Sequence, residues 1–427
     1  MKVLLLSWEY PPLMAGGLGR HVHALSHALA AAGHDVTVVT RAPAVADGSP
    51  GAEPERDGQL TVVRVPEDAP LLPAGEHTPF AAALAMNHAL TRAALRAART
   101  TGFDVVHAHD WLVAHSAVTV REQLGCPLVT TVHATEAGRH QGWLPGELSR
   151  AIHSVERWLA HESDRVVACS HYMRWEVNQA LGLPAQRIEV IPNGAEPQLW
   201  AADSHRIARA RLRFSGTGPL LGFAGRLVYE KGVQDLIAAL PALQAEHPGL
   251  RLVIAGDGPY SGDLMGLAQR LHLRGSVSFA GFLGADLAAT MAATDAMVVP
   301  SRYEPFGMVA IEAAAAGAPV AAAATGGLKE IVEPGRTGIT FTPARPDALA
   351  RAVSRLLTDR AGAARMARTA RHMVADRYSW AAIADRTAAQ YLRAGHDADR
   401  RQPRSGGLAR IVVREGNLLF PGGHVRS

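Results

Sequence analysis

The sequence predicts an α/β protein built of two doubly wound parallel-sheet domains in tandem. Three observations carry this. Short, continuous apolar runs alternate with longer helical patterns along the whole chain. The alternation breaks once, between residues 193 and 218, and then restarts. The Gly-, His- and Arg-bearing motifs fall just after the apolar runs. Apolar strands separated by helices imply a parallel sheet covered on both faces. Ligands of such sheets bind beyond the carboxyl ends of the strands, so two sheets in tandem place the expected site in the cleft between them.

In the first half, strands are predicted at Lys2–Ser7, Asp35–Thr40, Leu60–Val65, Val105–His107, Leu128–Thr131, Arg165–Ala168 and Ile188–Ile191. Helical patterns cover Gly19–Ala32, Phe80–Thr100, Trp111–Leu124 and Ser170–Leu181. The break at 193–218 holds NGAEPQLW, an Arg-rich patch and SGTGP. Beyond it, strands are predicted at Leu220–Ala224, Arg251–Ala255, Val277–Ala280, Ala296–Val299, Pro319–Ala323 and Gly338–Phe341, and helices at Ala361–Asp376 and Trp380–Ala394. The expected domains are 1–200 and 201–378. Residues 379–395 form a helix crossing back to the first domain, and 396–427 a flexible tail that contains one possible hairpin, ARIVVREGNLLFPGG. No repeat of 20–50 residues is visible.

Composition narrows the function. The chain has 427 residues, 48% of them hydrophobic, enough for two ordinary domains. Its net charge is +4, and His396–Ser427 supplies +3 of that through six Arg against three acids. The body is therefore nearly neutral and has no basic stripe for a nucleic-acid backbone. Only Lys2, Lys231 and Lys329 are lysines, so a lysine marks a place that specifically asks for one. Cys126 and Cys169 alone make neither a disulfide framework nor, without His help, a zinc site, and a reducing cytoplasm is expected. The opening MKVLLLSWEYPP is too short for a signal peptide, and no stretch reaches the ~20 apolar residues of a membrane span.

Four constellations bear chemistry. Met14-Ala-Gly16-Gly17-Leu-Gly19 follows the first strand and opens a helix, where backbone N–H groups approach an anion. It is not GxGxxG, so the dinucleotide fingerprint is absent. His107-Ala-His109-Asp110-Trp111 ends another strand. His107 is expected to point into the sheet, and His109, at the strand end, to reach a ligand. With His133 in TVHAT, three metal ligands are conceivable, but nothing else completes a zinc spacing, and hydrogen bonding to a polar substrate is favoured. Gly225-Arg226-Leu-Val-Tyr-Glu-Lys231-Gly232 sets a forked donor and a point charge around a helix start, which suits a pyrophosphate. Glu304 and Glu312 are eight apart, Glu304 in a loop and Glu312 on a helix expected to begin near Phe306. The ordinary readings are a plain turn, solvated charges and an acid favoured by a helix dipole.

Taken together, these motifs are similar to those of the retaining nucleotide-sugar glycosyltransferases of family 4, which have the GT-B fold. The likeness covers residues 1–395, and the opening SWEYPPLMAGGLGRHVHAL resembles glycogen-synthase-like enzymes and the glucosyltransferases of methylglucose polysaccharides. The resemblance implies that Arg226 and Lys231 hold the donor diphosphate and that Gly16 and Gly17 approach it from the opposite domain. It implies that Glu312 accepts from the ribose hydroxyls. Glu304, with the amides of Phe306, Gly307 and Met308, positions the transferred sugar. The loop Gly281, Phe282, Leu283 and Gly284 meets the base. His109, Asp110 and His133 lie on the sugar and acceptor side. Catalytic roles fall to His109, Glu304, Arg226 and Lys231. Glycogen synthases usually carry a lysine before the paired glycines, where this chain has Met14-Ala15.

The resemblance further implies a nucleotide-sugar donor, a glucan or other saccharide acceptor, and no metal or other cofactor. The lone DxD, Asp397-Ala-Asp399, lies in the tail beside no predicted strand, so chance accounts for it. Other readings remain open: a lipid or small-metabolite acceptor, a sugar-nucleotide epimerase, or a non-catalytic binder. Peripheral membrane contact draws weak support from Arg92, Arg96 and Arg99 over the Ala/Leu face of Phe80–Thr100. The oligomeric state, donor base, sugar and linkage are not readable.

Overall fold

A computed structural model describes residues 1–13, 16–43, 53–66 and 79–400. The Met14-Ala15 departure and the possible hairpin lie outside these residues.

The first sheet comprises β1 (Lys2–Ser7), β2 (Asp35–Arg41), β3 (Glu55–Asp57), β4 (Leu60–Val65), β5 (Val105–His109), β6 (Leu128–Val132), β7 (Arg165–Ala168) and β8 (Ile188–Val190). Its order is β3-β4-β2-β1-β5-β6-β7-β8, parallel except where β3 runs against β4. The second sheet comprises β9 (Leu220–Ala224), β10 (Arg251–Ala255), β11 (Val277–Gly281), β12 (Ala296–Val299), β13 (Val320–Ala323) and β14 (Ile339–Phe341) in the order β11-β10-β9-β12-β13-β14, all parallel. Each central strand is buried along nearly its whole length, as β1, β5, β6, β9, β12 and β13 show. That is why their sequences read as continuous apolar runs. The fold is GT-B: two doubly wound sheets, each with its first strand in the middle. The strand order reverses beside β1 and β9, and these switch points open crevices after β1, β5, β9 and β12.

The last helix, Trp380–Arg400, returns to the first domain. Trp380, Ile383, Ala384 and Tyr391 share a buried cluster with Val3, Leu5, Val22 and Leu25. The two passages of chain between the sheets touch. Ala195 N donates to Tyr378 O at 3.0 Å, and a Cβ added to Gly194 would come within 2.7 Å of the Trp380 ring.

Several expectations need correction. The break at 193–218 contains a helix, Ser204–Phe214, capped by Asp203, whose side chain accepts from Arg206 N. Its Arg patch is an interface: Arg206 pairs with Asp286 at 3.0 Å and Arg211 with Asp295 at 2.7 Å. The final helix continues past 395 to Arg400, so residues 396–400 are not a loose tail. Asp397 of the lone DxD pairs with Arg165, the first residue of β7, at 2.7 Å, so this carboxylate serves packing beside a strand. The helix Pro79–Thr101 buries Ala83, Met86, Ala89, Leu90, Ala93 and Ala94, so most of its Ala/Leu side packs inside the first domain. Among the described residues, no helix is long and apolar enough to cross one.

Candidate active site

The site is assembled at the carboxyl ends of β1, β5, β6, β9 and β12. After β1, the chain turns through Gly16 into the helix Gly17–Ala31. Both glycines face the second domain: a Cβ on Gly16 would lie 3.9 Å from Arg226 Nε, and one on Gly17 would lie 3.5 Å from Met308 Cγ. The structure thus brings the predicted glycine pair against the predicted diphosphate loop.

After β9, Gly225 takes a φ of 144° and lets the loop fold against Gly256, where a Cβ would strike Gly225 O at 1.9 Å. Arg226 is exposed and, among the described residues, its guanidinium has no ion-pair or hydrogen-bond partner. Lys231 closes a 3₁₀ turn, Tyr229–Lys231, and Gly232 follows in the left-handed region at φ 69°, with its Cβ position 2.0 Å from Pro300 O. Only glycine fits there. Lys231 Nζ donates to Glu304 Oε2 at 2.8 Å, and Ser301 Oγ donates to the same oxygen at 3.0 Å. Gly327 N holds the Glu304 carbonyl at 2.9 Å. Glu304 is therefore fixed at both its backbone and its carboxylate.

The helix expected near Phe306 begins at Met308, with Gly307 at φ 119° before it. Phe306 is buried and packs edge-on against Tyr378. Glu312 is 1% exposed, and its Oε1 meets Arg20 Nη2 of the opposite domain at 3.2 Å. Burial raises the Glu312 carboxyl above its ordinary value, Arg20 pulls it down, and Glu304 pushes it up. At the end of β11, Gly281 and Gly284 have φ of 64° and 49°, and Phe282 between them is 81% exposed, while Leu283 packs inward.

On the first domain, His107 and His109 lie on the same face of β5, as the strand period demands. Their ring centroids are 4.3 Å apart. His107 is buried as expected, and His109, expected at the strand end to reach a ligand, is fully covered as well. His107 bonds Tyr391 OH and Thr131 Oγ1, each at 2.8 Å. His109 Nδ1 lies 3.2 Å from His133 Nε2, and His133 keeps some exposure. The third imidazole against this pair is His21, with centroids 4.7 Å from His133 and 5.4 Å from His109, not His107. Burial holds the rings of His21, His107 and His109 well below the usual histidine value, and that of His133 at about 3. All four are neutral near pH 7.

Asp110 has φ 63° and ψ 176°, a conformation almost reserved for glycine. Asp110 N donates to Thr131 O at 3.0 Å, and Asp110 Oδ1 accepts from His133 N at 2.7 Å. Desolvation raises its carboxyl to about 6, against the pull of the His133 N–H and Arg139.

Residues 15–199 match the family described as Glycosyltransferase Family 4, and residues 204–373 match Glycosyl transferases group 1. The chain is 44% identical over 413 residues to a glycogen synthase of Mycobacterium tuberculosis (strain ATCC 25618 / H37Rv), a likeness that covers 95% of this chain and 97% of that protein. The chain belongs to glycosyltransferase family 4. This glycosyltransferase is also 32% identical to a D-inositol 3-phosphate glycosyltransferase of Streptomyces avermitilis, over 95% of this chain and 90% of that one. Among solved structures, a sucrose-phosphate synthase from Thermosynechococcus elongatus superposes with a TM-score of 0.78 at 27% identity, covering 92% of this chain and 98% of that one.

Three features of the glycosyltransferase site escaped sequence reasoning. Arg20 and His21 lie one helical turn beyond the glycine pair, where they read as ordinary helix positions. Ser301 shares the Glu304 carboxylate and carries no motif of its own. Tyr303 and Glu176 form a buried pair at 2.8 Å beneath Gly138, where a Cβ would clash with both. Arg20, His21, Ser301 and Tyr303 stand close to motif residues in sequence, whereas Glu176, inside the helix His171–Leu181, carries no such signal.

Proposed function

We propose that this glycosyltransferase moves glucose from a nucleotide-diphosphate glucose onto an α-1,4-glucan or related polysaccharide, with retention of configuration and without a metal ion. The 44% identity to a glycogen synthase over 95% of the chain carries the reading. In it, Arg226 and Lys231 neutralise the charge that grows on the departing diphosphate, the step at which fixed positive groups help most. Gly16 and Gly17 let the first domain's backbone approach the same anion. Glu312 accepts from the ribose hydroxyls, and Phe282 flanks the base. Glu304, with the amides of Phe306, Gly307 and Met308, orients the sugar. His109, Asp110 and His133 face its other side, with Asp110 and His133 partly accessible and His109 behind them.

Retention is supported by the occupancy of the carboxylates. Glu304 is engaged by Lys231 and Ser301, Glu312 by Arg20, and Asp110 by the His133 N–H. In this reading none serves as the base of an inverting attack, and the donor's own phosphate oxygen takes the acceptor proton on the same face. A cytoplasmic setting goes with this chemistry and with the two free cysteines.

The identity to the D-inositol 3-phosphate glycosyltransferase favours a second reading, in which the chemistry is the same and the acceptor is a small phosphorylated polyol. One experiment separates the two: ADP-, UDP- and GDP-glucose are each offered with maltooligosaccharides, a phosphorylated inositol and lipid acceptors. Glucosyl transfer to maltooligosaccharide is expected, with an α-linked early product by proton NMR and full activity in excess EDTA. Transfer only to the phosphorylated inositol installs the second reading, and a β-linked product or restoration by Mg²⁺ removes the mechanism.

A further inference from the structure

The side chains of His21, His109 and His133 each present a ring nitrogen, and these atoms lie within 4.8 Å of one another. Two observations set the cluster apart from ordinary packing. Both ring nitrogens of His21, and Nε2 of His109, are buried with no hydrogen-bond partner. Such orphaned polar atoms are costly and call for an explanation. The three rings also come from three separate elements: the helix Gly17–Ala31, the end of β5 and the loop after β6. Asn193 is the polar side chain that faces His21, and the two fall short of a well-formed hydrogen bond.

We infer that His21, His109 and His133 form a three-imidazole site for a borderline divalent ion of the zinc class, and that its occupation inhibits transfer. Zinc bonds to imidazole at about 2.0–2.1 Å, and a tetrahedral ion sets its ligand nitrogens roughly 3.4 Å apart. The His109 Nδ1–His133 Nε2 approach of 3.2 Å already meets this spacing, with Nδ1 as the ligand atom, so the unpartnered nitrogens an ion would satisfy here are those of His21 rather than His109 Nε2. The three ligand atoms lie within 4.8 Å of one another, so His21 must draw in towards the pair to complete the set. Three histidines leave a fourth position open to water. Oxygen-preferring ions such as Mg²⁺ find no hard ligand set here. The inhibitory half rests on the proposed function, which puts the transferred sugar beside His109 and His133; the binding half does not.

The probe is Co²⁺, whose visible absorption reports nitrogen ligation directly. His23 and His27 also stack, at 4.3 Å between centroids, and form a competing pair on the helix surface. The full chain is therefore used with His27→Gln as background. One equivalent of Co²⁺ is expected to give a visible band that Zn²⁺ displaces. His21→Gln in that background is expected to lose the band and weaken binding at least 100-fold, with a sharp thermal transition retained. His133→Gln reads the same loss should His21→Gln not fold. No band at saturating Co²⁺, or a band unchanged by both substitutions, overturns the site. In the activity arm, equimolar Zn²⁺ should slow transfer several-fold and EDTA should restore it. Co²⁺ binding without Zn²⁺ inhibition overturns the inhibitory half alone, and a chain without glucosyl transfer leaves the spectroscopic result standing.

Discussion

Arg20 Nη2 and Glu312 Oε1 meet at 3.2 Å, an ion pair between the first helix of one domain and the cleft helix of the other. Glu312 is almost wholly buried, and a buried carboxylate without a cation tends to protonate. Arg20 is the group that holds its pKa down. Arg20→Ala should therefore raise the Glu312 pKa further. At a given pH more of the carboxyl is protonated, and fewer lone pairs are left for the ribose hydroxyls. Donor KM in the variant should rise as pH falls, by about tenfold on the acid side of neutrality, with its inflection above that of the wild type. Steady-state kinetics across the neutral range checks this. Superimposable profiles would mean that the ion pair plays no part in donor binding.

Lys231 is the second test. Its ammonium is held 2.8 Å from Glu304, at the edge of the cleft that faces Gly16 and Arg226. A charge-assisted contact that tightens as the leaving group gains charge acts on turnover more than on affinity. Loss of such a contact costs on the order of 3 kcal/mol, or about a hundredfold. Lys231→Ala should lose that factor in kcat while the protein stays folded, and Lys231→Arg should recover only part of it. Lys329 is exposed at the start of the short helix after Gly327, so Lys329→Ala is the internal control and should change kcat little. A Lys231→Ala enzyme that keeps more than half its turnover removes the diphosphate from this loop.

What was legible in the sequence follows from burial. Strands such as Leu220–Ala224 are buried at every position and announce themselves as unbroken apolar runs. The helix Ser204–Phe214 buries only Ala210 and Phe214, and Arg206, Arg209 and Arg211 reach out to acids on other elements, so its sequence reads as a polar break. Gly146–Glu162 buries Ser149 and Glu156 alongside Ile152 and Leu159, which blurs its periodicity, and every residue of β3 is exposed. In the site, motifs that directly follow strands were visible because topology alone places them. Arg20, His21 and Ser301 owe their places to contacts across the cleft or between loops, which no local pattern encodes. The two histidines of β5 show what the strand pattern leaves out: alternate residues share a face, and the returning helix covers that face with Tyr391, a contact 284 residues away in sequence.

Glu156 predicts a pH effect on stability. Its carboxyl is pushed up to about 8, chiefly by burial, with the Glu136 N–H and Arg139 pulling down and the charges of Asp110 and Glu136 pushing up. The unfolded chain deprotonates this group near 4.5. Between these values the folded state binds more protons, so the group's contribution to stability falls as pH rises through the window. Glu156→Gln keeps an oxygen to accept from Glu136 N, a bond of 2.8 Å, and does not titrate. The Tm difference, variant minus wild type, should grow by several degrees from about pH 4.5 to about pH 8 and then level off. A difference that is flat with pH would show that Glu156 is ionised in the folded protein.

The closing test concerns the two chain passages that join the domains. The candidate donor groups are split between the ends of β1, β5 and β6 on one side and of β9, β11 and β12 on the other, so a productive complex requires the domains to close. The joint is narrow. Gly194 sits where a Cβ would press on the Trp380 ring at 2.7 Å and on Tyr378 O at 2.9 Å, and Ala195 N is bonded to that same carbonyl. Trp380 in turn packs edge-on against His21, 5.3 Å between centroids, so movement at the joint is felt in the histidine cluster. Nucleotide binding draws on the second domain, whereas transfer needs both. Gly194→Val wedges the passages apart without touching either sheet. Small-angle scattering of the wild type should show compaction at saturating donor nucleotide. The variant should bind nucleotide with affinity within a few-fold of the wild type, fail to compact, and lose about tenfold or more in kcat, with a single sharp melting transition. Identical wild-type profiles with and without nucleotide would refute closure, and a variant that compacts and turns over normally would move the hinge away from Gly194.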